Sequence, residues 1–143
     1  MKIYLDATVY NRPFEDQTNP KILLETLAFG VVLQLEEKGV IKLVSSSILE
    51  YENSINPFAL RKKWVENLMQ RVHYCQELND EIIERAQKLK KQGLQVVDAL
   101  HLASAEVAGS DYFLTCDRYL FQGYQGSVNV TNPIYFVLAI TEG

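Results

Sequence analysis

The chain has 143 residues, 48% of them apolar and 22% charged, which suits one domain around one sizeable core and excludes a disordered chain. A formal net charge of -4 excludes attraction of nucleic acid by bulk charge, so an RNA or DNA partner needs a local basic patch. No apolar run reaches the roughly 20 residues of a membrane span, and Asp6 interrupts the first apolar stretch too early for a secretory signal.

In chain order, "KIYLD" at 2–6 reads as a short strand ending in an acid. Residues 19–39 read as a helix, with Leu24, Leu27, Ala28, Val31 and Leu35 at helical spacing and Gly39 as its stop. "VIKLV" at 40–44 is a β-branched run and reads as the second strand, and "SSSILEYEN" after it offers serine caps for a short helix. Asn56-Pro57 breaks the chain, and Pro57 suits the first turn of a helix carrying Leu60, Trp64, Val65 and Leu68. "RVHYCQ" is a possible strand. "NDEIIERAQKLKKQG" follows with a cap in Asn79 or Asp80, early acids, late lysines and Gly93. A helix then holds Asp98, "YFLTC" reads as a strand, and "SVNVT" at 127–131 as a last short one. Cys75 and Cys116 lack metal-type spacing and read as reduced thiols, which suits a cytoplasmic protein.

Strands alternating with helices predict a mostly parallel sheet covered on both faces, joined by right-handed connections. In such sheets ligands bind beyond the carboxyl ends of the strands, where Asp6 and Asp117 both fall. Asp6, Glu52, Asp98 and Asp117 each stand at an element end or on a helix after a strand. Asp98 is set among Val96, Val97, Ala99 and Leu100, which suggests a carboxylate in apolar surroundings. If these acids converge, each close pair repels by about 1 kcal/mol in water and about 4 kcal/mol at an effective dielectric of 20. Such a cluster wants a cation, and hard oxygen donors suit Mg²⁺ or Mn²⁺, ions that support phosphodiester hydrolysis.

Other residues have a structural and a chemical reading. His101, three residues after Asp98, shares its helix face and is either a metal partner or a hydrogen-bonded core histidine. Thr115 and Ser46 either hydrogen-bond the carboxylates or fill strand ends. Asp111 reads as a turn residue before a strand. Arg12 and Arg118, next to the acids, are the better phosphate-contact candidates, ahead of "RKK" at 61–63 and "KLKK" at 88–91, whose default is a solvated helix face. Phe58, Trp64 and the tyrosines suit base stacking or, more commonly, core packing.

Four stretches, "IYLDATVYNRPFED" at 3–16, "SSSILEYENSINP" at 45–57, "DALHLASAEVAGSDYFLTCDRYL" at 98–120 and "VTNP" at 130–133, resemble a PIN-domain ribonuclease of the VapC toxin type. "DALHLA" followed by "FLTCDR" is the most specific pair. The resemblance implies one PIN-like domain over residues 1–143, a three-layer α/β/α sandwich. It implies that Asp6, Glu52, Asp98 and Asp117 are the catalytic acids and hold Mg²⁺ or Mn²⁺. It further implies cleavage of single-stranded or structured RNA to a 5′-phosphate and a 3′-hydroxyl. Glu50 competes with Glu52, and Glu52 is preferred because it lies six residues beyond Ser46, as a matching pair does in the family. After the first acid the family often has Thr and then Asn or Ser, whereas this chain has Ala7 and Thr8. Thr8 still offers a hydroxyl near the metal, and Thr8 and Thr115 join Arg12 and Arg118 as weaker substrate-binding candidates. A small protein antitoxin and a homodimer or higher homo-oligomer are implied as partners. The alternative is a catalytically inactive PIN-fold module that binds RNA or protein, a reading that Ala7 favours and the four acids oppose. A phospho-acceptor domain or a D-x-D phosphatase fits poorly, because only one acid follows the first strand and Thr8 stands where a second aspartate belongs.

Overall fold

A computed structural model describes residues 1–142 of the protein. Five strands, Lys2–Leu5 (β1), Lys42–Ser46 (β2), Tyr74–Gln76 (β3), Tyr112–Leu114 (β4) and Asn129–Thr131 (β5), make one sheet in the order β3-β2-β1-β4-β5. Every pairing is parallel. A parallel sheet is buried on both faces, and its strands show it through their period of two. Ile3 and Leu5 enter one core, and Tyr4 between them enters the other.

The first core is closed by Ala7–Asn11 (α1), Pro20–Glu37 (α2), Ser47–Ser54 (α3), Ala59–Met69 (α4) and Pro133–Glu142 (α7), through Val9, Phe29, Val32, Leu49, Val65 and Phe136. The second is closed by Asp80–Lys91 (α5) and Val96–Val107 (α6), through Ile82, Leu89, Ala99, Leu102 and Ala103. This is the expected three-layer α/β/α sandwich. Local signals act where the sequence places them. The Ser46 hydroxyl accepts from the Leu49 N–H at 3.2 Å to cap α3, and Asn79 accepts from the Ile82 N–H at 2.9 Å to cap α5. Gly39, at φ 74°, takes the left-handed conformation that ends α2.

Several expectations need correction. Of the residues read as helically spaced on α2, Leu24 and Leu27 are 52% and 58% exposed, while Glu25, Ala28, Phe29 and Val32 are buried. The helix is apolar nearly all round, so its periodicity does not select a face. Leu60 on α4 is exposed too, as are Val96 and Val97, so Asp98 is only half-buried. The second strand runs two residues later than "VIKLV", and "YFLTC" leaves strand geometry after Leu114. Two helices, α1 and α7, were not expected.

The chain runs outward from β1 to β2 and β3, then returns to the far side of β1 for β4 and β5. The order reverses between β1 and β4, the point beyond whose carboxyl ends parallel sheets place a ligand crevice. Asp6 follows β1 and Asp117 lies just beyond β4, so the two stand on either side of that point.

Candidate active site

Asp6 is the cap of α1 and the end of β1 at once. Its backbone N–H donates to the Leu114 carbonyl at 3.1 Å, which ties it to β4, and its carboxylate accepts from the Thr8 N–H at 3.0 Å and from the Thr8 hydroxyl. The side chain is buried. Burial pushes the carboxyl up to about 6, against the opposing hydrogen bonds of Thr8 and Thr115. Thr8 Oγ1 also accepts from the Cys116 N–H, and Thr115 Oγ1 from the Asp117 N–H, each at 3.0 Å. These two threonines therefore stitch the ends of β1 and β4 together and fix the backbone that carries Asp117. Asp117 itself is exposed and precedes a 3₁₀ turn at Arg118–Phe121.

Asp98 occupies the first turn of α6, where the helix dipole favours a negative charge. Burial raises its pKa, the neighbouring His101 opposes the rise, and the charges of Glu52 and Asp117 add to it. Charge influence thus links Asp98 on α6 to Glu52 on α3 and Asp117 beyond β4, and links Asp6 to His101. Glu52 is half-buried and is hydrogen-bonded to His101 Nε2. Glu50 lies elsewhere on the helix and accepts from the Cys75 thiol at 2.9 Å, at the β3 edge of the sheet. Of the two glutamates, Glu52 is the one beside the other acids.

His101 is buried, and its Nδ1 lies 2.6 Å from the Tyr4 hydroxyl, which lies 2.6 Å from Ser46 Oγ. The Tyr4 ring is stacked on Phe113 with centroids 5.2 Å apart. The Asp98–His101 spacing was visible in the sequence, but nothing there linked Tyr4 to either residue. Glu25 was also missed. It is fully buried, with Arg12 Nε at 2.9 Å and a second guanidinium nitrogen at 2.8 Å from one carboxylate oxygen, and the Asn132 amide on the other.

Arg12 is thus engaged within the fold, and Arg118 lies over the Tyr135 ring at 5.4 Å. Arg61 sits over Phe58 at 4.6 Å, while Lys88, Lys90 and Lys91 are exposed on the last turn of α5. A cleft of about 380 Å³ opens beside Glu52, lined among others by Thr8, Asn11, Asn53, Phe58 and Arg61.

Among the described residues, Asp6, Asp98 and Asp117 have no ion-pair partner. The donor set is all oxygen and net negative, which fits Mg²⁺ or Mn²⁺. No three His, Cys, Asp or Glu side chains among the described residues stand close enough to hold an ion between them.

No curated protein sequence matches this chain. Similar solved structures include VapBC2 from Rickettsia felis bound to a DNA fragment from the promoter, at 13% identity and a TM-score of 0.62, over 92% of this chain and 98% of that one. VapBC-1 from nontypeable Haemophilus influenzae is 17% identical with a TM-score of 0.60, over 93% and 98%. FitAcB from Neisseria gonorrhoeae is 19% identical with a TM-score of 0.55, over 92% and 97%. At these identities the likeness is one of fold. A family model for the PIN domain matches residues 3–124, nearly the whole of the sheet and the stretch that carries all four acids, and this protein belongs to the PIN domain family.

Proposed function

We propose that this protein is a Mg²⁺- or Mn²⁺-dependent ribonuclease and the toxin of a toxin–antitoxin pair. The observation that carries the reading is that Asp6, Asp98 and Asp117, near the carboxyl ends of the strands, have no Lys or Arg ion-pair partner among the described residues, while Asp98 lies within the charge influence of Glu52 and Asp117. Acids left unbalanced at a ligand-binding edge suit a cation that arrives from solution. When bound, such an ion supplies charge against the phosphate and eases deprotonation of water. Asp6 and Asp98 hold it, with Asp6 kept in place by Thr8 and Thr115. Asp117 completes the anionic rim from the β4 side. Glu52 orients the attacking water and takes its proton, since one carboxylate oxygen is bound to His101 and the other has no partner among the described residues.

The VapBC neighbours and the exposed apolar residues Leu24 and Leu27 on α2, with Tyr135 and Leu138 on α7, support a small protein antitoxin and self-association. Among the described residues, no helix is long and apolar enough to cross a membrane.

The test is an assay of single-stranded and structured RNAs with Mg²⁺ or Mn²⁺, scored for products bearing 5′-phosphates. Cleavage is expected, stopped by chelation and lowered about 10²-fold or more in Asp98→Asn with RNA binding retained. RNA binding without cleavage, across both metals and varied RNAs, overturns the reading in favour of an inactive binding module.

A further inference from the structure

His101 is not one of the four acids, yet it touches the one whose geometry matters most for moving a proton. Its ring joins Glu52 to a line of groups drawn from four parts of the chain. The Leu49 N–H meets Ser46 Oγ, Ser46 Oγ meets the Tyr4 hydroxyl, the Tyr4 hydroxyl meets His101 Nδ1, and His101 Nε2 meets Glu52. Tyr4, Ser46 and His101 are all buried, so each hydrogen has to find its acceptor within the line.

The direction of the line follows from its ends. A backbone N–H can only donate, so Ser46 accepts from Leu49. A carboxylate can only accept, so His101 donates to Glu52 through Nε2–H. A neutral ring then accepts at Nδ1, the Tyr4 hydroxyl donates to it, and the Ser46 hydroxyl donates to Tyr4. Every donor and acceptor is used once. The other neutral tautomer would set the Nε2 lone pair against the Glu52 carboxylate, so the Glu52 end of the line selects the tautomer.

We infer that His101 is a positioning residue: braced at Nδ1 by Tyr4 and Ser46, it clamps one oxygen of Glu52 through Nε2–H and leaves the other free for the metal or its water. The inference rests on the nuclease reading for its purpose but not for its geometry. Side chains that orient a metal-site carboxylate are commonly worth 10–100-fold in affinity or activity. Tyr4 is itself fixed by its stack on Phe113, so the clamp is anchored in the core of the sheet and not in solvent.

The first measurement is the imidazole ¹⁵N spectrum of the metal-free protein, with exposed His73 as the internal reference. His101 is expected as a single neutral form with Nε2 protonated and Nδ1 accepting. The second is Mn²⁺ affinity, and the third is kcat and KM for RNA, in His101→Ala, Glu52→Gln and the double variant. Tyr4→Phe keeps the ring stack and removes only the hydroxyl, so it covers the case in which His101→Ala fails to fold. Expected results are a loss of about 10–100-fold in Mn²⁺ affinity or kcat for His101→Ala with KM little changed, and a smaller loss for Tyr4→Phe with a shifted Nδ1 resonance. The double variant should lose no more than Glu52→Gln alone, because the two residues act as one unit. An Nδ1–H ring in the parent, parent-like Mn²⁺ affinity and kcat in His101→Ala, or additive losses in the double variant would each overturn the inference. A parent that neither binds Mn²⁺ nor cuts RNA removes the nuclease reading, and the ring spectrum then decides the clamp by itself.

Discussion

Glu25 and Asp6 are both buried carboxylates, and the protein treats them differently. Glu25 is fully enclosed, with one oxygen on the Arg12 guanidinium and the other on the Asn132 amide. Asp6 is 6% exposed and is met by hydroxyls and an amide but no Lys or Arg. Charge is balanced at Glu25, so that cluster joins α2 to the turn after α1 and to the start of α7. Charge is not balanced at Asp6, and burial pushes its carboxyl up to about 6. The first arrangement secures the fold. The second leaves a buried acid without a balancing Lys or Arg at the carboxyl end of β1.

The contrast breaks most visibly if either carboxylate is neutralised. Asp6→Asn keeps the helix cap, because asparagine caps about as well as aspartate. Cleavage should fall on the order of 10³-fold, as several kcal/mol of metal-derived stabilisation is lost, while metal-free stability holds or rises. A variant that cleaves as well as the parent would place Asp6 with Glu25 among the structural acids.

The next largest effect is expected at the balanced site. Arg12→Ala strands a fully buried Glu25 charge and should cost about 3 kcal/mol, lowering Tm by on the order of 10 °C in thermal denaturation. Replacing both partners, Arg12→Met with Glu25→Leu, should recover most of that loss, because no buried charge remains. If Arg12→Ala is as stable as the parent, Arg12 is free to serve RNA and the division between the two sites is wrong.

The third effect is the pH dependence contributed by Asp6. Its folded pKa lies above its unfolded value, so the folded protein holds a proton that the unfolded chain gives up between about 4 and 6. This contribution is fully present below pH 4 and is lost as pH rises through about 6, a change of order 2–3 kcal/mol. Metal binding runs the other way, because the ion needs the carboxylate, so stabilisation by Mn²⁺ should appear as pH passes 6. Denaturation midpoints from pH 4 to 8, compared between the parent and Asp6→Asn without metal, isolate the slope. Identical profiles would mean that burial does not perturb Asp6.

Much of the scaffold was legible because its signals are short-range. Ser46 and Asn79 cap the helices that their positions announce, Gly39 ends α2 in the left-handed conformation, and alternating strands and helices predict the parallel sheet. The two unexpected helices failed for local reasons. "ATVYN" is a five-residue helix rich in β-branched and aromatic residues, and it runs straight on from a strand. "PIYFVLAITE" is apolar on almost every side, so no face stands out to mark it as a helix.

The sequence by itself determined which acids stand at strand ends, that Asp98 and His101 share a helix face, and that six residues separate Ser46 from Glu52. Tertiary structure alone decided which carboxylates acquire a balancing charge. Arg12 and Asn132 converge on Glu25 from 13 and 107 positions away, and Tyr4 reaches His101 from 97. Caps, turns and periodicity are contacts among neighbours, and the chain encodes them residue by residue. The partner of a buried charge is chosen by how the layers pack, and at this length many pairings are open until the sheet has formed. The sequence marks Asp6 by its place at a strand end and leaves Glu25 unmarked, and only the fold gives one a balancing charge and withholds it from the other.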